Sequence, residues 1–253
     1  MKIQFIIITS LLFSINQLFA QNARFTHSGI ITFEKSINQH AAIRKMMSGN
    51  RHFNGADDYI KSVPQFKILK STLTFSDNKT LFNPIAEEEN EMGMFGSFGS
   101  EQSNIIYTDL MANTSTTEKK LFEETFLVKD STRKINWKLT SEMRDIAGYE
   151  CRRANAIIMD SIYVVAFYTD KIPVSGGPES FTGLPGMILG VALPHDNITW
   201  FAKTVTDKSI PSTEIKIPVK GKATDRKGLY DTLSKILNGR GLKSDRTIKL
   251  LLL

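Results

Sequence analysis

The strongest constraint on the fold is a pair of adjacent segments near the middle of the chain. In residues 149–159, odd- and even-numbered side chains fall on opposite sides, which is the period of two of a β-strand. Asp160 and Ser161 are typical of a two-residue turn, and the apolar residues 162–169 are suited to return as the antiparallel partner. We therefore predict a long antiparallel hairpin over residues 149–169.

The same period recurs along most of the chain and predicts further strands. We expect them at residues 24–36, 66–75, 80–85, 104–111, 118–128, 133–139, 187–193, 198–205 and 214–218. Turn-forming residues at 76–79 and 194–197 should join two of these pairs into hairpins, and further turns are predicted at 113–116 and 130–132.

Three segments change to helical spacing. Residues after Asn38 carry apolar side chains at i, i+3 and i+4, and a second helical piece is expected to end before Pro64. Residues 225–237 have leucine and isoleucine on one face, with Thr224 as a candidate N-cap. These patterns together predict an α+β fold that is predominantly antiparallel β, with a curved or half-open sheet and one or two packed helices.

The first twenty residues have the layout of a secretory signal peptide. Lys2 precedes an apolar run, and Ala20 offers a cleavage site. A transmembrane anchor is the alternative, but the run falls short of the roughly 20 apolar residues that a spanning helix needs. We expect an exported chain, located in the periplasm, at the outer membrane or in the medium, with residues 21–253 forming a single domain and no integral membrane part.

Charge and cysteine content narrow the partners. The formal net charge of +6 is concentrated in residues 220–253, which are expected to form a basic C-terminal helix and tail. This end is suited to an anionic surface, although a solvated basic face is the simpler interpretation, and no nucleic-acid motif accompanies it. Cys151 is the only cysteine, which excludes an internal disulfide; a small buried hydrophobe is favoured over a reactive thiol.

The most distinctive local motif is the Gly-Leu-Pro-Gly segment at residues 183–186, which leads into an apolar run. Glycine permits backbone conformations and close approaches that other residues forbid, and proline fixes φ. The segment contains no nucleophile, acid, base or ligand, so we interpret it as structural. The structural motif as a whole comprises Gly183, Leu184, Pro185, Gly186, Met187, Ile188, Tyr149 and Cys151.

This segment and its surroundings resemble the GLPGLI family, a group of exported proteins from Bacteroidetes. The similarity covers residues 137–189, with Trp137 at its start, and Met187 stands where the family name has leucine. The resemblance implies a signal peptide and a β-rich exported domain, and it implies no established activity, cofactor or catalytic residue. The order of strands and turns is also similar to lipoprotein-carrier folds, in which a curved antiparallel sheet half-wraps an apolar cavity.

No catalytic constellation is found in the sequence, so neither an enzyme nor a cofactor is predicted; an envelope hydrolase is the least favoured alternative. There is no zinc-binding His pair, nucleophile elbow or phosphate loop. Metal handling has a weak signal in four residues that lie close in sequence and carry ligands suited to copper or zinc: His40, Met46, Met47 and His52. The competing interpretation is that the two methionines fill gaps in the core.

An acidic, glycine-rich stretch at residues 87–99 is predicted to be a loop. Phe95 and Phe98 within it are the candidate partner contacts. We therefore expect a non-enzymatic protein of the cell envelope that binds either an envelope protein or an apolar small ligand beneath a curved sheet. Metal binding is the alternative.

Overall fold

The computed structural model describes residues 26–47, 56–85, 104–239 and 245–253, and twelve strands in these residues form one sheet. In chain order the strands are Ser28–Asn38 (β1), Phe66–Ser76 (β2), Lys79–Pro84 (β3), Asn104–Asp109 (β4), Thr114–Leu121 (β5), Glu124–Ser131 (β6), Lys138–Ile146 (β7), Tyr149–Ile158 (β8), Ile162–Thr169 (β9), Met187–Leu193 (β10), Ile198–Asp207 (β11) and Lys222–Thr224 (β12).

The sheet consists of two antiparallel meanders joined side by side. Strands β1 to β6 are successive neighbours in one meander, and β7 to β11 are successive neighbours in the other. The antiparallel pairing of β1 with β11 joins them, and β12 adds the one parallel pairing among the described strands, to β6. The large, mostly antiparallel and half-open sheet confirms the predicted fold class.

Four helices accompany the sheet in the described residues: Gln39–Met47 (α1), Ala56–Ser62 (α2), Arg226–Gly239 (α3) and Asp245–Leu251 (α4). The side chain of Asn38 accepts a hydrogen bond from the amide of Ala41 at 3.0 Å, so α1 begins where the sequence predicts. The N-cap of α3 is Asp225, whose Oδ1 accepts the Gly228 amide at 2.7 Å. Thr224 is therefore not the cap, because it belongs to β12. Helix α4 was not predicted.

Several predicted strand boundaries are wrong. The segment 118–128 is not one strand, because a turn at Phe122 (φ +56°) separates β5 from β6, and β6 then runs through the turn predicted at 130–132. Residues 133–137 precede the strand expected there, since β7 begins at Lys138. Residues 214–218 form no strand; a 3₁₀ turn, Ser212–Glu214, lies at their start.

The central hairpin forms as predicted, with one change at its turn. Ile158 pairs with Ile162, so three residues connect β8 to β9 in place of the expected two. Met159 and Asp160 both adopt left-handed backbone conformations, with φ of +48° and +62°. The turn therefore begins one residue earlier than the sequence pattern indicates.

The main core lies on one face of the sheet, which we call the inner face. It carries side chains that are fully or almost fully buried on the two central strands: Ile31, Phe33, Ile37, Leu73 and Phe75. A second apolar cluster forms farther along the same face, where α3 places Leu229, Leu233 and Leu237 against strands β5 and β6. Within the described residues, no helix has the length and apolar character needed to cross a membrane.

The C-terminal helix is attached to two turns of the second meander. Arg246 donates hydrogen bonds from Nε and Nη2 to the two carboxylate oxygens of Asp196 at 2.8 and 2.7 Å, and the Asp196 side chain is almost fully buried. Lys249 Nζ reaches Ser161 Oγ at 3.2 Å. Part of the basic C-terminal charge is therefore used inside the fold and does not form a solvated face.

Candidate functional site

The connection between β9 and β10, residues 170–186, packs against the inner face of the sheet, and we call it the inner loop. Gly176 lies beside Thr80 of β3, Glu179 reaches β1 and β4, and the Phe181 ring meets Trp200 of β11 edge-on at 6.1 Å. Its side chains Ile172, Val174, Phe181 and Leu184 are buried. An apolar ligand was predicted to bind beneath the sheet, and this position is occupied by side chains of the inner loop.

A buried ion pair fastens the inner loop to the sheet. Lys35 Nζ of β1 lies 3.5 Å from Glu179 Oε1, and both side chains are less than a tenth exposed. Asn104 Nδ2 donates to Glu179 Oε2 at 3.1 Å, and the Lys35 ammonium stands 4.8 Å from the centre of the Trp200 ring. Charges this deep are tolerated only when they are paired and hydrogen-bonded, so these four residues form one interdependent unit.

The Gly-Leu-Pro-Gly segment closes the inner loop. Gly186 has a φ of +137°, and a Cβ built there would clash with the carbonyl oxygen of Thr169 and lie 2.8 Å from its carbonyl carbon. Trp137 Nε1 donates to the Thr182 carbonyl at 2.9 Å and so covers the segment from outside. The geometry leaves no room for a side chain at Gly186.

The remaining motif residues divide between surface and core. Gly183 (φ +92°) and Pro185 are exposed, whereas Leu184, Met187 and Ile188 are buried. The segment thus turns at the surface and delivers its apolar side chains to the core.

Tyr149 and Cys151 lie on the first residues of β8. Tyr149 packs against the main core while remaining partly exposed, and Cys151 has no exposed surface. Burial raises the pKa of the Cys151 thiol to about 12, and Sγ donates to the Tyr149 carbonyl at 3.4 Å. A thiol of this kind is a poor nucleophile because little thiolate forms at neutral pH.

The predicted metal ligands are only partly within the described residues. His40 Nε2 lies 2.9 Å from the Val63 carbonyl oxygen, a contact that ties α1 to the segment after α2. His52 and the side chains of Met46 and Met47 fall outside the described part, as do Phe95 and Phe98. In the described part, no three His, Cys, Asp or Glu side chains converge as metal ligands. The metal and partner assignments stay predictions.

A polar cavity lies between the inner loop, strands β4 to β6, α3 and the C-terminal segment. It was not predicted from the sequence. Its volume is about 40 Å³, and its lining includes Thr108, Ser115, Thr117, Lys119, Asp130, Arg133, Ser180, Thr182 and Arg226. The strand register explains the polar floor, because Ser115 pairs with Thr108 on one side and with Asp130 on the other. Three cationic side chains therefore line a space that has one carboxylate side chain in its lining.

Lys119 is the most deeply buried of these cations. It is 3% exposed, and its Nζ donates to the Leu251 carbonyl at 3.0 Å. Burial lowers the pKa of Lys119 to about 7, a shift that Glu179 opposes and that Lys35 and Arg133 reinforce. This amine is accordingly able to gain or lose its proton near neutral pH.

The Lys119 pKa predicts a specific dependence of stability on pH. Between about 7 in the folded protein and 10.5 in the unfolded chain, the unfolded state binds more protons at this site, so the free energy of unfolding should rise with pH across that window. Guanidinium unfolding at several pH values should show this rise in the wild type, and Lys119→Met should lack this contribution. Lys120→Met, at the exposed neighbouring position, should keep it; equal slopes in all three proteins would contradict the assignment.

Arg133 and Arg226 form the wall of this cavity. Arg133 Nη2 donates to the Leu252 carbonyl at 3.0 Å, while its buried Nε has no hydrogen-bond partner among the described residues. Burial and, second, the like charge of Arg226 lower the pKa of Arg133 to about 10. Arg226 donates its backbone amide to Asp130 Oδ2 at 3.1 Å and its Nη2 to the Ser131 carbonyl at 2.9 Å.

A larger open cleft of about 660 Å³ shares Thr132, Arg133 and Arg226 with the small cavity. It also borders Asn113, Lys134, Asn136 and the β8–β9 turn with Ile157, Ile158, Met159 and Asp160. Its size falls within the range of ligand sites in proteins, which is roughly 300–1,000 Å³. The two spaces together, which we call the arginine cleft, are the candidate functional site.

Comparisons with known proteins address the family and the fold of this β-rich protein. A family model described as a protein of unknown function (Porph_ging) matches residues 157–190, which contain β9, the inner loop and the Gly-Leu-Pro-Gly segment. No curated protein matches the chain.

Two solved structures of PNGF-II are similar in fold. The chain in space group C2 is 15% identical, with a TM-score of 0.51, and the match covers 81% of this chain and 32% of that one. The chain in space group P21 is 17% identical, with a TM-score of 0.48 and coverages of 78% and 32%. This protein thus spans about a third of the length of the PNGF-II chains, and at such low identity the likeness to the C2 structure concerns the fold alone.

Proposed function

We propose that this chain is an exported, non-enzymatic member of the GLPGLI family that binds a small ligand in the arginine cleft. The family assignment is supported by the match over residues 157–190, which includes the complete Gly-Leu-Pro-Gly segment. Export is inferred from the first twenty residues, and location in the periplasm or at the outer membrane follows from it. An intact mass that begins at Gln21, measured on protein from the envelope fraction, would support cleavage after Ala20.

The arginine cleft is the observation that carries the binding function. It is open, large enough for a small molecule, and combines charged groups with an apolar wall at Ile157 and Met159. The inner face of the sheet offers less space for a ligand, because the inner loop covers it with buried side chains such as Phe181 and Leu184. A polar ligand in the cleft therefore replaces the apolar ligand beneath the sheet as our favoured hypothesis.

A fragment screen with two matched tryptophan variants tests the proposal. Anionic, neutral and cationic fragments are added to the purified mature chain, and binding is followed by ligand-observed NMR. Asn136→Trp narrows the cleft from its exposed rim, and Asn83→Trp makes the same change at an exposed position of β3 outside it. At least one class of fragment should bind the wild type and Asn83→Trp but not Asn136→Trp. The proposal is contradicted if no fragment binds the wild type, or if fragments bind Asn136→Trp as well as they bind the wild type.

A further inference from the structure

We infer that the ligand of the arginine cleft carries an anionic group, a carboxylate or phosphate, which binds at Arg133. The inference rests on the proposed binding function and specifies the class of ligand. It stands on three observations: the charge balance of the cavity, a buried donor without an acceptor, and the relative sizes of the two spaces.

The charge balance is the first observation. Lys119, Arg133 and Arg226 line the small cavity, and Asp130 is the one carboxylate side chain in its lining. The buried Glu179 carboxylate acts on Lys119 from outside that lining, so the compensation is weakest at the two arginines. Asp130 is already engaged, since its Oδ1 accepts the Ser131 amide at 2.7 Å and its Oδ2 accepts the Arg226 amide at 3.1 Å. Cations brought together in a poorly solvated space repel one another, and an anion placed between them relieves that repulsion.

The second observation concerns Arg133. A guanidinium has five N–H donors, and here the buried Nε finds no acceptor among the described residues. An unpaired buried donor is costly, and more so when it is charged. Arg133 lines the small cavity, so a ligand group in that cavity is in a position to accept this hydrogen bond. A carboxylate or phosphate oxygen is the acceptor that also matches the charge of the guanidinium. Hydroxyl groups of Thr117 and Thr182 provide further donors for such a group.

The sizes of the two spaces indicate which part of the ligand each one holds. The inner cavity of about 40 Å³ has room for little more than one compact polar group, and the cleft of about 660 Å³ accommodates the rest of a molecule. The cleft presents an apolar wall at Ile157, Ile158 and Met159, and the amides of Asn113 and Asn136. A small molecule with one anionic end and a partly apolar body fits this arrangement, whereas an extended polyanion has access only to the outer cleft.

Benzoate and benzamide provide a matched pair of probes, because they are alike in shape and differ in charge. At constant ionic strength, titration calorimetry on the mature chain should detect benzoate and inorganic phosphate but not benzamide. Arg226→Gln, which removes one cation from the cavity wall, should weaken benzoate binding about tenfold or more, as expected for a charge-assisted hydrogen bond. Arg133→Met should abolish it. Arg44→Gln, at an exposed position of α1 outside both spaces, should leave it unchanged.

The outcomes separate this inference from the proposed function. Equal binding of benzamide and benzoate, or benzoate binding that is insensitive to Arg226→Gln, overturns the anionic class while leaving a ligand site in the cleft. Absence of binding by both anions, with neutral fragments still lost in Asn136→Trp, also overturns the anionic class alone. If Arg133→Met fails to fold, as judged by circular dichroism, Arg226→Gln carries the test, because its side chain is a third exposed and therefore easier to replace.

Discussion

Replacing Gly186 by alanine should destabilise the protein by about 3 kcal/mol or more, one of the largest effects expected for any single methyl group in this chain. Two costs combine. A φ of +137° is a conformation that alanine rarely adopts, and the new Cβ would clash with the backbone carbonyl of Thr169, which is fixed at the end of β9. The Thr169 backbone, unlike a side chain, has no other rotamer that would relieve the clash, so the inner loop would have to shift as a whole.

Chemical unfolding of Gly186→Ala and of Gly239→Ala tests this prediction. Gly239 ends α3, has no left-handed φ, and has open space where a Cβ would lie, so alanine there should be neutral or slightly stabilising. An effect at Gly186 as small as that at Gly239 would contradict the structural role of the Gly-Leu-Pro-Gly segment. An unchanged free energy of unfolding combined with lost ligand binding would turn the segment into part of a site.

Breaking the ion pair beneath the inner loop should cost about 3–5 kcal/mol. Glu179→Ala leaves the Lys35 ammonium buried without its carboxylate and removes the acceptor of Asn104. The cost is mainly that of an uncompensated buried charge. Lys35→Met in the same chain should therefore recover much of the loss, especially with Glu179→Gln, whose amide oxygen still accepts from Asn104.

The free energy of unfolding of the single and double variants measures the coupling directly. The exposed pair Lys61–Asp58, with nitrogen and oxygen 3.3 Å apart, serves as the control, and its removal should have no measurable effect. Additive effects at Lys35 and Glu179, with no recovery in the double variant, would show that the two charges act independently.

The parts of the fold that were predicted correctly from the sequence are those encoded by neighbouring residues. The β2–β3 and β8–β9 hairpins have alternating strands and polar turns, and the helix after Asn38 has a cap within three residues. The β5–β6 turn was missed because it places Phe122 in a left-handed conformation, for which a phenylalanine gives no local signal. Strand β12 was missed because a three-residue parallel strand depends on its partner β6, far away in sequence.

The candidate site was not predictable because it depends on register between strands and on the path of the inner loop. Lys119 is the middle residue of Glu118-Lys119-Lys120, a sequence that predicts a solvent-exposed segment. The Lys119 side chain is buried because α4 and the final leucines cover it. Arg133 and Arg226 are separated by most of a hundred residues and meet through the β6–β12 pairing. The inner loop lies between two predicted strands, but its proline and glycine content gave no sign that it would lie in the core.

The pairing that joins the two meanders has a consequence for how quickly the protein can fold. Gly29 at the start of β1 pairs with Asp207 at the end of β11, so the pairing that joins the meanders forms only after most of the chain is available. Closing so long a loop before its contacts stabilise it slows folding in proteins of this kind. Until then the first meander exposes the unpaired edge of β1, an edge prone to association with other chains. We expect folding on a timescale of seconds or longer, with the amides that bond across the β1–β11 pairing protected last in pulsed hydrogen exchange.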